Sequence, residues 1–395
     1  MAAASASKTQ EAWQEEDVLA YWRMLYPAEE IVALFGSTPN REFSFTYGDA
    51  YLRFQRCVTG DDLRKLLAKK CDSKIGATTA HAGAIYPRAV DRQDRGEPIA
   101  CELRYDIDLN SYDDLRAMLC GCKDDKACDD CFLFAQIGAR LLVLCLKDRL
   151  GCKNFLPVYS GRRGMHLLVL DAGMRGVSKE AREAISKNVG AQEHPKMCQK
   201  RGVLWWAQTD ADHLMVDQSG IRAELVKLFE KLFVAKYRVL EKHLDEVIRG
   251  FPDTVKREVQ SKEHKTSEAR WRALRTAVLR ESLGSSNCKA GYVLQRSMDR
   301  LLASCFLPRL DAGPSALGHL LKLPFSVHAK TGRVAVPIEE SRLMEFVPSK
   351  CPTVVHVSAY LNKITKTNPL QEPLAVLRRA AKQSETKTLL GKADF

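Results

Sequence analysis

The chain has 395 residues, 45% of them hydrophobic, so it is long enough for two or three domains or for one domain with a large insertion. Its formal net charge of +12 favours a polyanionic partner, nucleic acid or a nucleotide, over a merely basic protein without one. No run of 18 apolar residues and no apolar signal core within residues 1–10 occur, which argues against a membrane or secreted protein and predicts a soluble intracellular one.

Two short helices and a β-hairpin are predicted at the start of the chain. Apolar residues recur at helical spacing over residues 13–35 and are interrupted at Pro27, which predicts two helices. Alternating polar and aromatic residues then predict two strands around a turn at residues 47–49. In the first strand, Glu42 and Ser44 share one face, which is either a solvated polar face or part of a functional site.

Residues 102–108 have the pattern of an apolar strand that ends in two carboxylates. Because side chains alternate along a strand, Asp106 and Asp108 should share one face, while Tyr105 and Ile107 point into the packed layer behind. Two like charges at this spacing repel unless a cation lies between them, and Mg²⁺ prefers carboxylates together with substrate phosphates. The pair is a candidate metal site, although a solvated strand end or an Asp-rich turn gives the same pattern.

Four of the thirteen cysteines are clustered shortly after this strand. Cys120, Cys122, Cys128 and Cys131 follow the spacing C-x-C-x5-C-x2-C, which lets four thiolates close a tetrahedral zinc site. The alternative is a chance cluster of free thiols. A closed site has no open position for a substrate, so we expect a structural zinc that folds the loop, with the other cysteines as buried thiols.

A basic hairpin tip follows a strongly apolar helix predicted over residues 132–150. A strand over residues 155–159 leads into Ser-Gly-Arg-Arg-Gly-Met-His at residues 160–166, and a second strand follows. The glycines allow close backbone approach, and the guanidiniums of Arg162 and Arg163 can bind phosphate oxygens bidentately. We interpret the tip as a phosphate-binding loop; a basic, solvated hairpin is the alternative.

The second half of the chain is predicted to be helical at first and to return to strands afterwards. An apolar stripe over residues 224–249 predicts one long amphipathic helix within a helical subdomain at residues 184–303. Residues 308–311 predict a strand that ends in a third carboxylate, Asp311, and a hairpin turned at Thr331 and Gly332 follows. Its second basic cluster consists of Lys322, His328, Lys330 and Arg333.

In order and spacing, these motifs resemble the catalytic small subunit of the archaeal and eukaryotic DNA primases, and the eukaryotic members most closely. The resemblance is carried by REFSF at 41–45, DID at 106–108, the four cysteines, SGRRGMH at 160–166, Asp311, HLLK at 319–322 and PFSVH at 324–328. It covers about residues 15–345. It implies a primase-type mixed α/β catalytic core with a sheet similar to an RNA-recognition motif, interrupted by the helical subdomain. The implied division is 1–183 with a zinc knuckle at 120–131, then 184–303, 304–350 and a C-terminal segment at 351–395, partly helical or loosely ordered.

The resemblance also implies a role for each matched residue. Asp106, Asp108 and Asp311 match the family's three metal-binding carboxylates, which hold two Mg²⁺ or Mn²⁺ ions for an in-line phosphoryl transfer. Glu42 stands where the family has an active-site acid. Contacts with the incoming nucleotide are implied for Arg53, Ser160, Arg162, Arg163, His166, His319, Lys322 and His328.

The activity implied by the resemblance is that of a nuclear DNA-directed RNA polymerase, a nucleotidyltransferase that makes short RNA primers on single-stranded DNA from ribonucleoside triphosphates. The implied partners are a large iron–sulfur subunit and a replicative DNA polymerase complex, and the iron–sulfur cofactor would lie in the partner. His81 departs from the pattern, because eukaryotic relatives carry an acidic residue there that is associated with the nucleotide sugar; the choice between ribo- and deoxyribonucleotides stays open. Two alternatives also stay open, a repair polymerase of the same fold and a catalytically silent DNA-binding scaffold.

Overall fold

The computed structural model of the chain describes residues 13–36, 38–71, 74–189, 221–284, 288–310 and 316–390. Within these ranges the architecture is mixed α/β, with antiparallel sheets and many helices, as the sequence predicts. None of the helices in these ranges is both long and apolar enough to cross a membrane.

The described strands and helices are numbered in chain order. The strands are β1 Arg41–Tyr47, β2 Ala50–Gln55, β3 Lys70–Cys71, β4 Lys74–Ile75, β5 Thr79–Ile85, β6 Leu103–Asp108, β7 Phe155–Tyr159, β8 Gly164–Val169 and β9 Leu321–Lys322. The α-helices are α1 Glu15–Met24, α2 Ala28–Phe35, α3 Gly60–Leu67, α4 Asp113–Cys120, α5 Asp129–Leu150, α6 Lys179–Asn188, α7 Ile221–Phe229, α8 Val239–Lys242, α9 Leu244–Ile248, α10 Asp253–Val259, α11 Ser267–Gly284, α12 Cys288–Phe306, α13 Val354–Leu361 and α14 Gln371–Leu390.

The first sheet contains four antiparallel strands in the order β2-β1-β5-β9. The predicted hairpin of β1 and β2 is confirmed, and Gly48 takes the positive φ of 59° that its turn requires. Glu42 and Ser44 are as fully buried as Phe43 and Phe45 on the opposite face of β1. The alternative of a solvated polar face is therefore wrong, because both faces of this strand are covered.

The second sheet contains three antiparallel strands in the order β6-β8-β7. The predicted alternation along β6 is confirmed: Tyr105 and Ile107 are buried, whereas the side chains of Asp106 and Asp108 are 28% and 41% exposed. Helix α5 packs behind this sheet and ends at Gly151, which has a φ of 64°. The apolar strand and helix thus form a layer that leaves the two carboxylates on its open face.

The two predicted N-terminal helices are confirmed as α1 and α2, separated at Pro27. Their side chains hold a distant segment of the chain: the Tyr21 hydroxyl donates to the Phe325 carbonyl at 2.8 Å, and the Tyr26 hydroxyl donates to the Pro324 carbonyl at 3.4 Å. Both tyrosines are buried. The start of the chain therefore braces the segment that follows β9.

The prediction of one continuous helix over residues 224–249 is wrong. Helix α7 passes into a π-helix over Glu230–Lys236, and Arg238 then adopts a φ of 52° before α8 and α9 begin. At the break, Lys236 and Tyr237 both donate hydrogen bonds to Asp130 on α5. These tertiary contacts, with the tight packing around the break, outweigh the continuous apolar periodicity.

The strands predicted near the end of the chain are only partly confirmed. Residues 308–310 form no strand, and Asp311 lies outside the described residues. The hairpin beyond β9 is confirmed by a bridge between Val327 and Val334 and by a φ of 62° at Gly332. Residues 371–390 form helix α14, so this part of the C-terminal segment follows the helical alternative.

Candidate functional site

The two carboxylates of β6 lie beside polar groups of the neighbouring strand β8. Asp106 is paired in register with His166, and its Oδ1 lies 3.7 Å from the imidazole Nε2. Asp108 is paired with Gly164, and its Oδ2 lies 3.8 Å from a guanidinium nitrogen of Arg163. A Cβ atom at Gly164 would lie 3.1 Å from the Ser160 hydroxyl and 3.5 Å from Asp106 Oδ1. Glycine thus keeps the space beside the carboxylates open.

His166 is a neutral imidazole at this site. Its burial lowers its pKa to about 3, and the positive charges of Lys322 and Arg104 act in the same direction. A neutral imidazole donates one hydrogen bond and accepts one, so His166 can contact a ligand oxygen without adding charge. His328, in the second basic hairpin, is neutral for the same reason, because burial lowers its pKa to about 4.

The tip between β7 and β8 is fastened to the second basic hairpin. Gly161 has a φ of 94°, and a Cβ atom there would lie only 2.8 Å from the Cβ of His328. The Thr331 hydroxyl donates to the Gly161 carbonyl at 2.8 Å, and within the tip the Gly164 amide donates to the Ser160 hydroxyl at 3.0 Å. The two basic clusters predicted from the sequence therefore form one surface.

A row of polar side chains crosses the first sheet and reaches the second. Ser44 pairs with His81, and His81 pairs with Lys322. The Lys322 ammonium donates to the Ser160 carbonyl at 3.1 Å, which joins the two sheets, and burial lowers its pKa to about 8. Burial, followed by the charge of Lys322, lowers the pKa of His81 to about 4. The imidazole Nδ1 of His81 is buried without a hydrogen-bond partner among the described residues.

Arg104 is a second link between the sheets, and the sequence analysis missed it. Its fully buried guanidinium donates to the Ala82 carbonyl at 2.9 Å and to the His319 carbonyl at 2.8 Å. His319 itself is exposed to solvent. Its spacing could have indicated this position, because Arg104 stands two positions before Asp106 and therefore shares its face of the strand.

Glu42 and Arg53, predicted separately as site residues, are partners. The Arg53 guanidinium donates to Glu42 at 3.0 Å, and the Tyr86 hydroxyl donates to the same carboxylate at 3.0 Å. Glu42 is fully buried, whereas the Arg53 side chain is 36% exposed. Glu42 therefore holds Arg53, whose side chain remains partly open to solvent.

Asp125 contacts the basic hairpins directly, and sequence reasoning missed it. Its carboxylate lies 2.8 Å from Arg162, 2.8 Å from Arg163 and 3.5 Å from Lys330. The hydrogen bond from Arg162 is the main cause that lowers the pKa of Asp125 and keeps it ionised. No local pattern indicated these contacts, because Asp125 is one of several acids in a polar loop between the clustered cysteines.

The four clustered cysteines could hold a metal ion. The sulfur atoms of Cys120, Cys122, Cys128 and Cys131 all lie within 4.8 Å of one another, and all four are free of disulfides. In a tetrahedral site with Zn–S bonds of about 2.3 Å, the sulfurs would be about 3.8 Å apart. The buried guanidinium of Arg116 supports the loop, since it donates to the carbonyls of Leu109 and Lys126.

The predicted site residues thus meet where the two sheets and the cysteine loop adjoin, apart from Asp311. The model of a family described as DNA primase small subunit matches residues 106–340. The chain is 26% identical to the DNA primase small subunit of Schizosaccharomyces pombe over 90% of this chain and 79% of that protein. It is 27% identical to the DNA primase small subunit of Caenorhabditis elegans over 88% of each chain. Similarity extends to archaea, with 24% identity to the DNA primase small subunit PriS of Methanothermobacter thermautotrophicus over 64% of this chain and 70% of that protein.

Proposed function

The chain belongs to the DNA primase small subunit family, and we propose that it is the catalytic subunit of a DNA primase. In this role it is a nucleotidyltransferase that synthesises short RNA primers on single-stranded DNA from ribonucleoside triphosphates. The observation that carries the proposal is the carboxylate pair Asp106 and Asp108, which is partly exposed and lies beside His166 and the cationic Arg163 of the basic tip. A template-directed polymerase needs both, carboxylates for metal ions and cations for a triphosphate.

The carboxylate pair fits divalent cations. Asp106 and Asp108 offer oxygen ligands on one open face of β6, and these are the ligands that Mg²⁺ and Mn²⁺ prefer. Together with Asp311, which lies outside the described residues, they would hold two such ions. Bound there, the ions would stabilise the charge on the attacking and leaving oxygens of the transfer.

The triphosphate is assigned to the joined basic hairpins. Arg162 and Arg163 would bind phosphate oxygens through their paired donors, and Lys322 would add a compact positive charge from the first sheet. Ser160, His166 and His328 would complete the contacts through neutral donors, and His319 would join them. Arg53, oriented by Glu42, would meet the nucleotide from β2, the edge strand opposite β9 in the first sheet.

The cysteine cluster is proposed to bind structural Zn²⁺. Four thiolates close its coordination and leave no position for a substrate, so the metal would fold the loop of residues 120–131. Elemental analysis of the purified chain should find one zinc per molecule, and Cys122→Ser should lower that content and the thermal midpoint of unfolding. A full complement of zinc in Cys122→Ser would contradict this assignment.

The proposal includes an architecture for the catalytic core. We assign residues 1–183 and 304–350 to the core, residues 184–303 to an inserted helical subdomain and residues 351–395 to a C-terminal segment. The antiparallel order β6-β8-β7 supports a likeness to an RNA-recognition-motif sheet, and the return of the chain to β9 in the first sheet supports the insertion.

Partners and location follow from the family. The relatives are named as small subunits, so we propose a large subunit as the partner, with an iron–sulfur cofactor, and a replicative DNA polymerase complex around both. The similarity to yeast and nematode proteins supports a nuclear location. Affinity purification of the tagged chain should recover an iron-containing partner, and a tagged chain excluded from nuclei would contradict the location.

The test of the proposed activity is primer synthesis without a pre-existing primer. The full chain, with and without its purified partner, is given a homopolymeric single-stranded DNA template, labelled ribonucleotides and Mg²⁺ or Mn²⁺. Short metal-dependent RNA products that disappear in Asp108→Asn would support the proposal. Products made only from deoxyribonucleotides on an existing primer would instead favour a repair polymerase and direct attention to His81. DNA binding without any synthesis, unchanged in Asp108→Asn, would favour a scaffold.

A further inference from the structure

The guanidiniums assigned to the triphosphate already hold an anion that belongs to the protein. Asp125 Oδ2 lies 2.8 Å from Arg162 and 3.5 Å from Lys330, and Asp125 Oδ1 lies 2.8 Å from Arg163. One carboxylate is thus surrounded by three cations from two hairpins. This is the arrangement that a phosphate group would meet if the carboxylate were absent.

We propose that Asp125 occupies the triphosphate position in the free protein and sets nucleotide affinity, because an incoming triphosphate must displace it. The inference rests on the proposed function, which assigns Arg162 and Arg163 to the triphosphate. It adds a residue from the cysteine loop that opposes binding, whereas every contact assigned above favours it.

The exposure of the three groups supports displacement over a permanent structural role. The Asp125 side chain is 60% exposed, whereas those of Arg162 and Arg163 are 17% and 16% exposed. The carboxylate therefore covers the guanidiniums from the solvent side, where a ligand arrives. Ion pairs with such an exposed partner contribute little to folding stability, so a triphosphate with several charges can replace the carboxylate without unfolding the loop.

The contacts of Arg163 show which anion holds it in the free protein. Its guanidinium is 2.8 Å from Asp125 but 3.8 Å from Asp108 on β6. It also donates to the Asp124 carbonyl at 2.9 Å, so the loop binds it through both backbone and side chain. The side chain of Asp125 is the part of this arrangement that a substitution can remove while the backbone contact remains.

The experiment compares two adjacent acids of the same loop. Dissociation constants for inorganic tripolyphosphate are measured by isothermal titration calorimetry on the full chain, for the wild type, Asp125→Asn and Asp124→Asn. Asp125→Asn should lower the dissociation constant about three- to tenfold, the range expected when partly exposed ion pairs stop competing. Asp124→Asn removes the same charge one residue away and tolerates the local φ of 50°, so it should match the wild type.

Kinetics give a readout that a merely structural residue would not move. In primer synthesis, the KM of Asp125→Asn for the nucleotide should fall by the same factor as its dissociation constant, and kcat should change less than KM does. The advantage over wild type should shrink as salt is raised, because exposed charges are screened. A dissociation constant for Asp125→Asn equal to or higher than that of Asp124→Asn would overturn the proposal.

A third variant separates this inference from the proposed function. Arg163→Ala should weaken tripolyphosphate binding severalfold if the triphosphate lies on this loop. Unchanged binding in Arg163→Ala would remove the triphosphate assignment and the role of Asp125 together. Weakened binding in Arg163→Ala, without tighter binding in Asp125→Asn, would leave the assignment standing and reject only the competing carboxylate.

Discussion

Acids in two regions of the molecule, the open face of β6 and the interior around β1, are held in opposite ways. On the open face of β6, Asp106 and Asp108 remain partly exposed; Asp106 lies 3.7 Å from the His166 imidazole, and Asp108 lies 3.8 Å from the Arg163 guanidinium. Around β1, the acids are in close pairs: Glu102, which directly precedes β6, lies 2.7 Å from Arg41 and both are fully buried, and Glu42 is buried against Arg53. The acids on β6 can meet a ligand, whereas the acids around β1 are neutralised within the protein.

This difference teaches where substitutions should act. Removing a partly exposed carboxylate of β6 relieves the like-charge repulsion between Asp106 and Asp108, so it should affect the reaction and spare the fold. Removing one member of a buried pair leaves an uncompensated charge, so it should affect the fold before the reaction. The four predictions below test this contrast, from the largest expected effect to the smallest.

Asp106→Asn should reduce primer synthesis at least about a thousandfold, because loss of a metal-binding carboxylate removes several kcal/mol of transition-state stabilisation. The thermal midpoint of unfolding should stay within a few degrees of wild type. Glu97→Gln, which removes one exposed acid elsewhere, is the matched control and should retain full synthesis. Loss of folded protein in Asp106→Asn would contradict the view that the β6 carboxylates serve ligand binding and do not stabilise the fold.

Arg41→Met should lower the free energy of unfolding by about 3 kcal/mol, measured by urea denaturation. Burial opposes ionisation of Glu102, yet Arg41 and then Arg175 hold its pKa at about 2, so the variant leaves a buried carboxylate with fewer partners. Arg41 also donates to the carbonyls of Phe35 and Gly83. Arg64→Met removes a partly exposed ion pair with Glu29 and should lower the free energy of unfolding by less than about 1 kcal/mol. Equal losses in the free energy of unfolding for the two variants would contradict the contrast between buried and exposed pairs.

The pH dependence of nucleotide use should report Lys322. Its pKa is lowered to about 8, so the protonated form that attracts a triphosphate is present below pH 8 and is lost as the pH rises through that value. With ATP as the varied nucleotide, kcat/KM should fall about tenfold per pH unit above pH 8. Lys322→Arg should move this fall upwards, since arginine stays charged. A flat profile up to pH 10 in the wild type would remove Lys322 from the nucleotide contacts.

Tyr21→Phe should have the smallest effect, a loss of about 1 kcal/mol in the free energy of unfolding, because the Phe325 carbonyl would lose its hydrogen bond inside the core. Tyr360→Phe is a suitable control, as its hydroxyl has no hydrogen bond to the described residues. If Tyr21→Phe also raised the KM for nucleotide, the N-terminal brace would act on the binding surface as well as on stability.

The parts of the fold and site that were predicted from sequence are those encoded by neighbouring residues. The break at Pro27, the alternation that places Asp106 beside Asp108, the glycines of the 160–166 tip and the cysteine spacing each depend on a few consecutive positions. Residues that act through long-range contacts were not foreseen. Alternation cannot distinguish a face that meets solvent from one that meets another sheet, which is why Glu42 was left open and Arg104 was missed.

The same limit explains the helix that was predicted as continuous over residues 224–249. Its apolar stripe is real, but contacts with Asp130, more than a hundred residues earlier, accompany the change to a π-helix and the turn at Arg238. Asp125 shows the limit at the site itself, because its contacts with Arg162 and Arg163 join two segments that no local pattern connects. The role of Asp311 stays a prediction.

The position of β9 affects how the protein is made. Strands β1, β2 and β5 leave the ribosome early, but the edge of β5 stays unpaired until residues 321–322 have been synthesised, after all the intervening helices. An open edge of this kind invites pairing with other chains, so nascent chains of intermediate length should depend on chaperones. Because Lys322 arrives with β9, a chain interrupted before that strand would carry the carboxylates of β6 without their buried lysine. Nucleotide binding would then have to wait for the synthesis of β9.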